Sequence, residues 1–192
     1  MKTLQSLNRD YFTVADLEKI TNLSRNSLRV VLNRFVKREV LTHLRRGVYQ
    51  LSSSTVDVRK IANQLYYPSY LSFEAALSTY GILSQVPYTQ TFATSKKSKK
   101  MMVGNTEVEY SQIQKSLFFG YVQTNGIYIA EPEKALLDQV YLVSRGRRML
   151  AIDELDLRGI NKKQLNEYAV RFPDYVAPLI SQINQKIGLI SA

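Results

Sequence analysis

The sequence has no cysteine among its 192 residues, which excludes disulfides, thiol nucleophiles and thiolate-bound metals. A single histidine, His43, excludes any metal site built on two histidines. No uninterrupted apolar run approaches the roughly 18 residues of a membrane span, and Met1-Lys2-Thr3 leads into polar residues rather than a secretory signal. A cytoplasmic protein without membrane contact is therefore expected. The sequence also lacks a Gly-rich phosphate loop, a Gly-x-Ser-x-Gly nucleophile turn, an acid-x-Lys triplet of the restriction-nuclease kind, an internal repeat and a heptad seam. These absences weigh against an enzyme, so no catalytic residue, metal or cofactor is expected.

What is present is ordinary globular composition, 45% hydrophobic and 22% charged, with a net charge of +10. That charge favours a polyanionic partner, and it is uneven: residues 1–54 hold 10 Lys/Arg against 4 Asp/Glu, the remaining residues 16 against 12. The small-polar stretch Ser52-Ser53-Ser54-Thr55 is the clearest compositional break. It divides the chain into an expected domain 1–54 and a second domain 55–192.

Within the first domain, Thr13 with Asp16 three residues on reads as a capping-box start, followed by Val14, Leu17 and Ile20 on one side of a helix. Thr21-Asn22-Leu23 is a short turn with one apolar anchor, of the length a helix-turn-helix needs. Ser24 then caps a second helix in which Leu28, Val31, Leu32 and Phe35 recur at i, i+3, i+4 and i+7. At about 100° per residue, Asn26, Val30, Asn33 and Lys37 fall on the opposite face, with Arg29 and Arg34 on its flanks. Glu39–Leu44 and Val48–Leu51 alternate as two strands around Arg45-Arg46-Gly47. This is the layout of a winged helix-turn-helix, and double-stranded DNA is the expected partner. Arg25, Asn26, Ser27 and Arg29 occupy the first turns of the second helix, where arginine can pair with guanine, asparagine with adenine, and Val30 can lie against a thymine methyl. Asn33 and Lys37 extend that face, and Arg45 and Arg46 suit a minor groove or phosphates. Tyr49 is read either as a phosphate contact or as half-buried core, and His43 as structural or a minor phosphate contact.

The second domain reads as a mixed α/β unit, giving an α+β chain. Helices are expected over Val56–Tyr66, from Ser72 to a stop at Gly81, from Pro132 to about Val143, over Asn161–Phe172 and over Val176–Ile187. Between them lies a small sheet from Thr91–Thr94, Thr106–Tyr110, Gly120–Val122 and Ile127–Ile129. Two basic clusters, Lys96-Lys97-Ser98-Lys99-Lys100 on an expected loop and Arg145-Gly146-Arg147-Arg148, remain open between a longer DNA footprint, an RNA contact, an acidic protein partner and plain solvation. Glu131 and Glu133 complement the positive end of the helix that follows. Lys134 and Asp138 read as an i,i+4 ion pair worth a few tenths of a kcal/mol. Glu107, Glu109, Glu131 and Glu133 are the carboxylates that acid–base or metal work would use, and Glu107 with Glu109 is the pair by which a nuclease reading would be tested.

Three ordered blocks carry a resemblance: Tyr70-Leu71-Ser72-Phe73-Glu74-Ala75-Ala76-Leu77-Ser78-Thr79-Tyr80-Gly81-Ile82, Ser116-Leu117-Phe118-Phe119-Gly120-Tyr121 and Ala130-Glu131-Pro132-Glu133-Lys134-Ala135-Leu136-Leu137-Asp138. With Arg46-Gly47-Val48-Tyr49, they resemble the AbiEi antitoxin family of bacterial type IV toxin–antitoxin, or abortive-infection, systems. The resemblance implies a winged helix joined to an antitoxin domain, repression of its own operon through inverted repeats, and counteraction of a nucleotidyltransferase-fold toxin. A solitary regulator, or an antitoxin acting on the toxin independently of DNA, are the alternatives. The blocks are largely apolar and imply a shared core rather than an active site.

Overall fold

The structure is a computed structural model that describes residues 7, 9–55 and 57–190; Met1, Lys2, Thr3 and Val56, used above, lie outside them. The chain is α+β and forms two compact units, residues 1–62 with 102–106 and residues 63–101 with 107–192. The break expected after Ser54 lies within the first of these.

In the first unit, strand β1 (Phe12–Thr13) leads into helices α1 (Val14–Thr21) and α2 (Arg25–Lys37), then strands β2 (Leu41–Arg45) and β3 (Val48–Leu51). The three strands form an antiparallel sheet in the order β1-β3-β2. Thr13 caps α1 reciprocally: its hydroxyl accepts from the Asp16 N–H, and the Asp16 carboxylate accepts from the Thr13 N–H. Asn22 ends α1 in a left-handed conformation, φ 54°, which asparagine tolerates better than most residues. The expected apolar anchor of the turn, Leu23, is instead exposed; the helix pair is joined by Leu17, Leu28 and Leu32, which pack with Phe12 and Leu41. Val31 is half-buried, and Phe35 packs at the edge of that core. Glu39, expected in a strand, sits at positive φ in the turn that closes α2, where its N–H and that of Val40 return to the carbonyls of Val36 and Phe35.

A six-stranded mixed sheet lies mostly in the second unit, with residues 102–106 of one of its hairpins belonging to the first. Its strands are β4 (Ser69–Leu71), β5 (Gln90–Thr94), β6 (Lys99–Val103), β7 (Thr106–Gln112), β8 (Tyr121–Thr124) and β9 (Ile127–Ala130), ordered β6-β7-β5-β4-β9-β8. Two of them, β4 and β6, were not expected. Ser69–Leu71 is three wholly buried residues, too short for periodicity to register. The lysine run read as a loop contributes Lys99 and Lys100 to β6, an edge strand whose ammonium groups oppose pairing with another chain. β8 and β9 turn at Asn125-Gly126, both at positive φ, as a two-residue hairpin requires.

Helix α3 (Val58–Leu65) precedes β4, and α4 (Phe73–Thr79), α5 (Pro132–Val143), α6 (Lys162–Ala169) and α7 (Ala177–Ile190) complete the chain. The central helix is α5: every residue from Glu133 to Leu142 is buried, because α4, α6 and α7 all pack against it. Ser72, which precedes α4, makes no side-chain cap bond; its hydroxyl donates to Asp138 of α5 at 2.8 Å.

Candidate nucleic-acid interface

Helix α2 sorts its residues by face. Leu28 and Leu32 are 1% and 3% exposed, whereas Arg25, Asn26, Ser27, Arg29, Val30, Asn33, Arg34 and Lys37 are all exposed. The helix contains no acidic residue, so its outer face carries positive charge and amide groups without internal neutralisation. Among the described residues Arg25 has an acidic neighbour, Glu18 of α1 at 3.8 Å, and its side chain is still 82% exposed; an exposed pair at that distance is weak. Val30 is 51% exposed, an apolar side chain set among polar ones.

The start of α2 is held by Ser24, whose hydroxyl accepts from the Ser27 N–H at 3.3 Å and lies 3.0 Å from the Ser27 hydroxyl. Ser27 thus divides its polar groups between the cap and the outer surface. With no acid in the first turn, the positive end of the helix macrodipole stands open to an anion.

At the hairpin, Gly47 adopts φ 79°, a left-handed conformation that glycine takes without Cβ strain. Its carbonyl accepts from the Val14 N–H at 3.0 Å, which ties the hairpin turn to the first residue of α1. Arg46 is exposed and Arg45 half-buried. Tyr49 pairs across the strands with His43, ring centroids 5.1 Å apart, and packs on the core; it is the half-buried residue of the two alternatives. Arg34, placed on a flank by the helical count, is the exposed cation of this face that the expected site left out.

The second unit treats its basic clusters differently. Arg148 is a core-facing residue, its side chain 10% exposed, held by Glu74, by Glu109 at 2.8 Å and by Ser111 at 3.1 Å, with its guanidinium 4.5 Å from the Phe73 ring. Burial pushes the Glu109 carboxyl up, but Lys100, 2.9 Å away, and Arg148 together hold it below the usual carboxylate range. Arg145 donates to the Tyr141 hydroxyl at 2.8 Å, while Lys97 and Arg147 are exposed. Of the four glutamates weighed for metal work, Glu109 is engaged as above, Glu107 accepts from the Thr89 hydroxyl at 3.0 Å, Glu131 from the Tyr168 hydroxyl and Glu133 from the Asn161 N–H at 2.8 Å. Among the described residues no group of three or more His, Asp or Glu side chains converges as a metal site, and no helix is long and apolar enough to cross a membrane.

Residues 1–52 match the family model of the AbiEi antitoxin transcriptional regulators. The match covers α1, α2 and the hairpin and stops short of the second unit. No curated protein matches the chain.

Proposed function

We propose, from an N-terminal region that matches the AbiEi antitoxin regulators, that this protein is a cytoplasmic, non-enzymatic repressor that binds its own operator as double-stranded DNA and serves as the antitoxin of a toxin–antitoxin pair. The observation that carries the reading is the outer face of α2, acid-free and exposed from Arg25 to Lys37. Arg25, Asn26, Ser27, Arg29, Val30 and Asn33 meet base edges in the major groove; Lys37, Arg45 and Arg46 meet phosphates or the minor groove. Inverted repeats in the operator would seat two copies side by side.

Two variants separate the roles. Arg29→Ala removes a base-reading side chain and is expected to relax sequence preference by about 1–3 kcal/mol. Arg45→Ala with Arg46→Ala is expected to weaken all duplexes evenly and to lower the salt slope by roughly 0.9 for each lost phosphate contact. Unchanged duplex binding in both variants would show that this is the wrong surface.

The antitoxin role belongs to the second unit, which has its own sheet and its own central helix. Co-expression with a nucleotidyltransferase-fold toxin from the neighbouring gene tests it: the Arg29, Arg45 and Arg46 variants are expected to rescue growth as the parent does. Loss of rescue in step with loss of DNA binding would instead place neutralisation in repression.

A further inference from the structure

The second unit carries a cluster of tyrosines and lysines that duplex binding does not use. Tyr66 and Tyr67 follow the end of α3; Tyr66 packs on the buried Tyr110, centroids 4.8 Å apart, whereas Tyr67 is 63% exposed. The lysine run is fastened to this pair. The Tyr66 hydroxyl donates to the Lys97 carbonyl at 2.9 Å, the Lys96 ammonium donates to the Tyr67 carbonyl, and the ammonium groups of Lys96 and Lys99 sit 5.4 and 5.3 Å from the Tyr66 ring centre. The Tyr66 ring is therefore occupied by cations, and the Tyr67 ring is open.

On the β8–β9 hairpin, Tyr121 and Tyr128 meet edge to face at 6.0 Å, and Tyr121 stacks on buried Tyr70 at 4.7 Å. Burial pushes the Tyr121 phenol up, and the phenols of Tyr67 and Tyr128 add to that shift. Among the described residues no carboxylate pairs with Lys96, Lys97 or Lys99, in contrast to Lys100, which Glu109 holds.

An exposed ring beside uncompensated ammonium groups matches a nucleotide with its base unstacked: the ring takes the base face, the ammoniums take the phosphates. A duplex hides those faces, so the ligand is unpaired. An acidic protein surface would satisfy the lysines and give the Tyr67 ring no stacking partner. Phenol hydroxyls both donate and accept, which suits the 2′-hydroxyl that marks RNA. We propose that this tyrosine–lysine surface binds unpaired bases of RNA, with Tyr67 stacking on a base and Lys96, Lys97 and Lys99 on the flanking phosphates.

The test is fluorescence anisotropy of a labelled, unstructured RNA oligonucleotide with the full chain over a salt series. Tyr67→Ala is expected to weaken binding about tenfold, whereas Tyr67→Phe keeps the stacking ring and is expected to narrow the preference for RNA over the DNA strand of the same sequence. Lys97→Ala with Lys99→Ala should lower the salt slope by about 1.4, at roughly 0.7 per phosphate on a single strand. Arg45→Ala with Arg46→Ala should weaken duplex DNA and leave RNA affinity unchanged, so a failure here is distinct from a failure of the operator reading. Three results would overturn the proposal: RNA affinity insensitive to Tyr67→Ala, displacement of the RNA by polyglutamate as effective as by unlabelled RNA, or equal affinity for the DNA strand of the same sequence.

Discussion

Thr13 and Asp16 show how much a single pair of side chains contributes to placing the proposed DNA-binding helices. The Thr13 hydroxyl and its backbone N–H both donate to the Asp16 carboxylate, at 2.6 and 2.9 Å, and Arg9 reaches its other oxygen at 3.1 Å. These bonds, the Thr13 hydroxyl first among them, hold the Asp16 carboxyl below its ordinary range. A carboxyl depressed in the folded state stabilises it fully above its unfolded pKa of about 3.9, and that stability is lost as the pH falls through the lower folded value. Asp16→Ala should therefore cost about 1 kcal/mol at pH 7 in urea melts, and the gap to the parent should narrow below about pH 4; a gap constant with pH would mean that the carboxylate charge is irrelevant to the cap. At Gly47 the constraint is the backbone alone. A methyl group there would meet Val14 at an ordinary 3.8 Å, while φ is +79°, so Gly47→Ala should destabilise by about 1–2 kcal/mol through strain rather than overlap, read as a lower urea midpoint.

At the scale of the element, helix α5 differs most from its sequence reading. Its length from Pro132 to Val143 was readable from the leading proline and the apolar content, and so was the i,i+4 spacing of Lys134 and Asp138. Their burial was not. Both side chains are 0% exposed: the Lys134 ammonium donates to Asp138 and to the Tyr70 hydroxyl, and Asp138 also accepts from Tyr70 at 2.9 Å and Ser72 at 2.8 Å. Burial pushes Lys134 down and Asp138 up, and the ion pair opposes both. The Tyr70, Phe119 and Phe172 rings that enclose the ammonium come from distant parts of the chain, so no local window of sequence reveals the enclosure. The value of the pair changes accordingly. Lys134→Met alone should cost about 3–5 kcal/mol, because it strands a buried carboxylate, whereas adding Asp138→Leu should recover part of that loss; additive costs in denaturant melts would contradict a coupled pair. Edge strand β6 likewise owes its form to a partner strand. Four lysines in five residues resemble a loop until the pairing of β6 with β7 supplies the reason for an extended backbone.

For the whole molecule, the sequence showed the helix, turn, helix and hairpin of the first unit closely, because capping residues and a 3.6-residue apolar period are local signals. The six-stranded order β6-β7-β5-β4-β9-β8 was not visible, since strand neighbours are chosen by long-range pairing. The outer residues of α2 were legible as exposed; Arg148 was misread as a surface cation because Glu74 and Glu109, which bury it, lie 74 and 39 residues away in sequence. With a net charge of +10, some affinity for any polyanion is expected, and only the part that depends on sequence bears on regulation. The decisive measurement is equilibrium binding of the full chain to its own upstream duplex and to a scrambled duplex of equal length, at an ionic strength of about 0.15 M. The account predicts that the operator is bound at least about a thousandfold more tightly, with Arg29→Ala narrowing that ratio. Equal affinity for the two duplexes would contradict it.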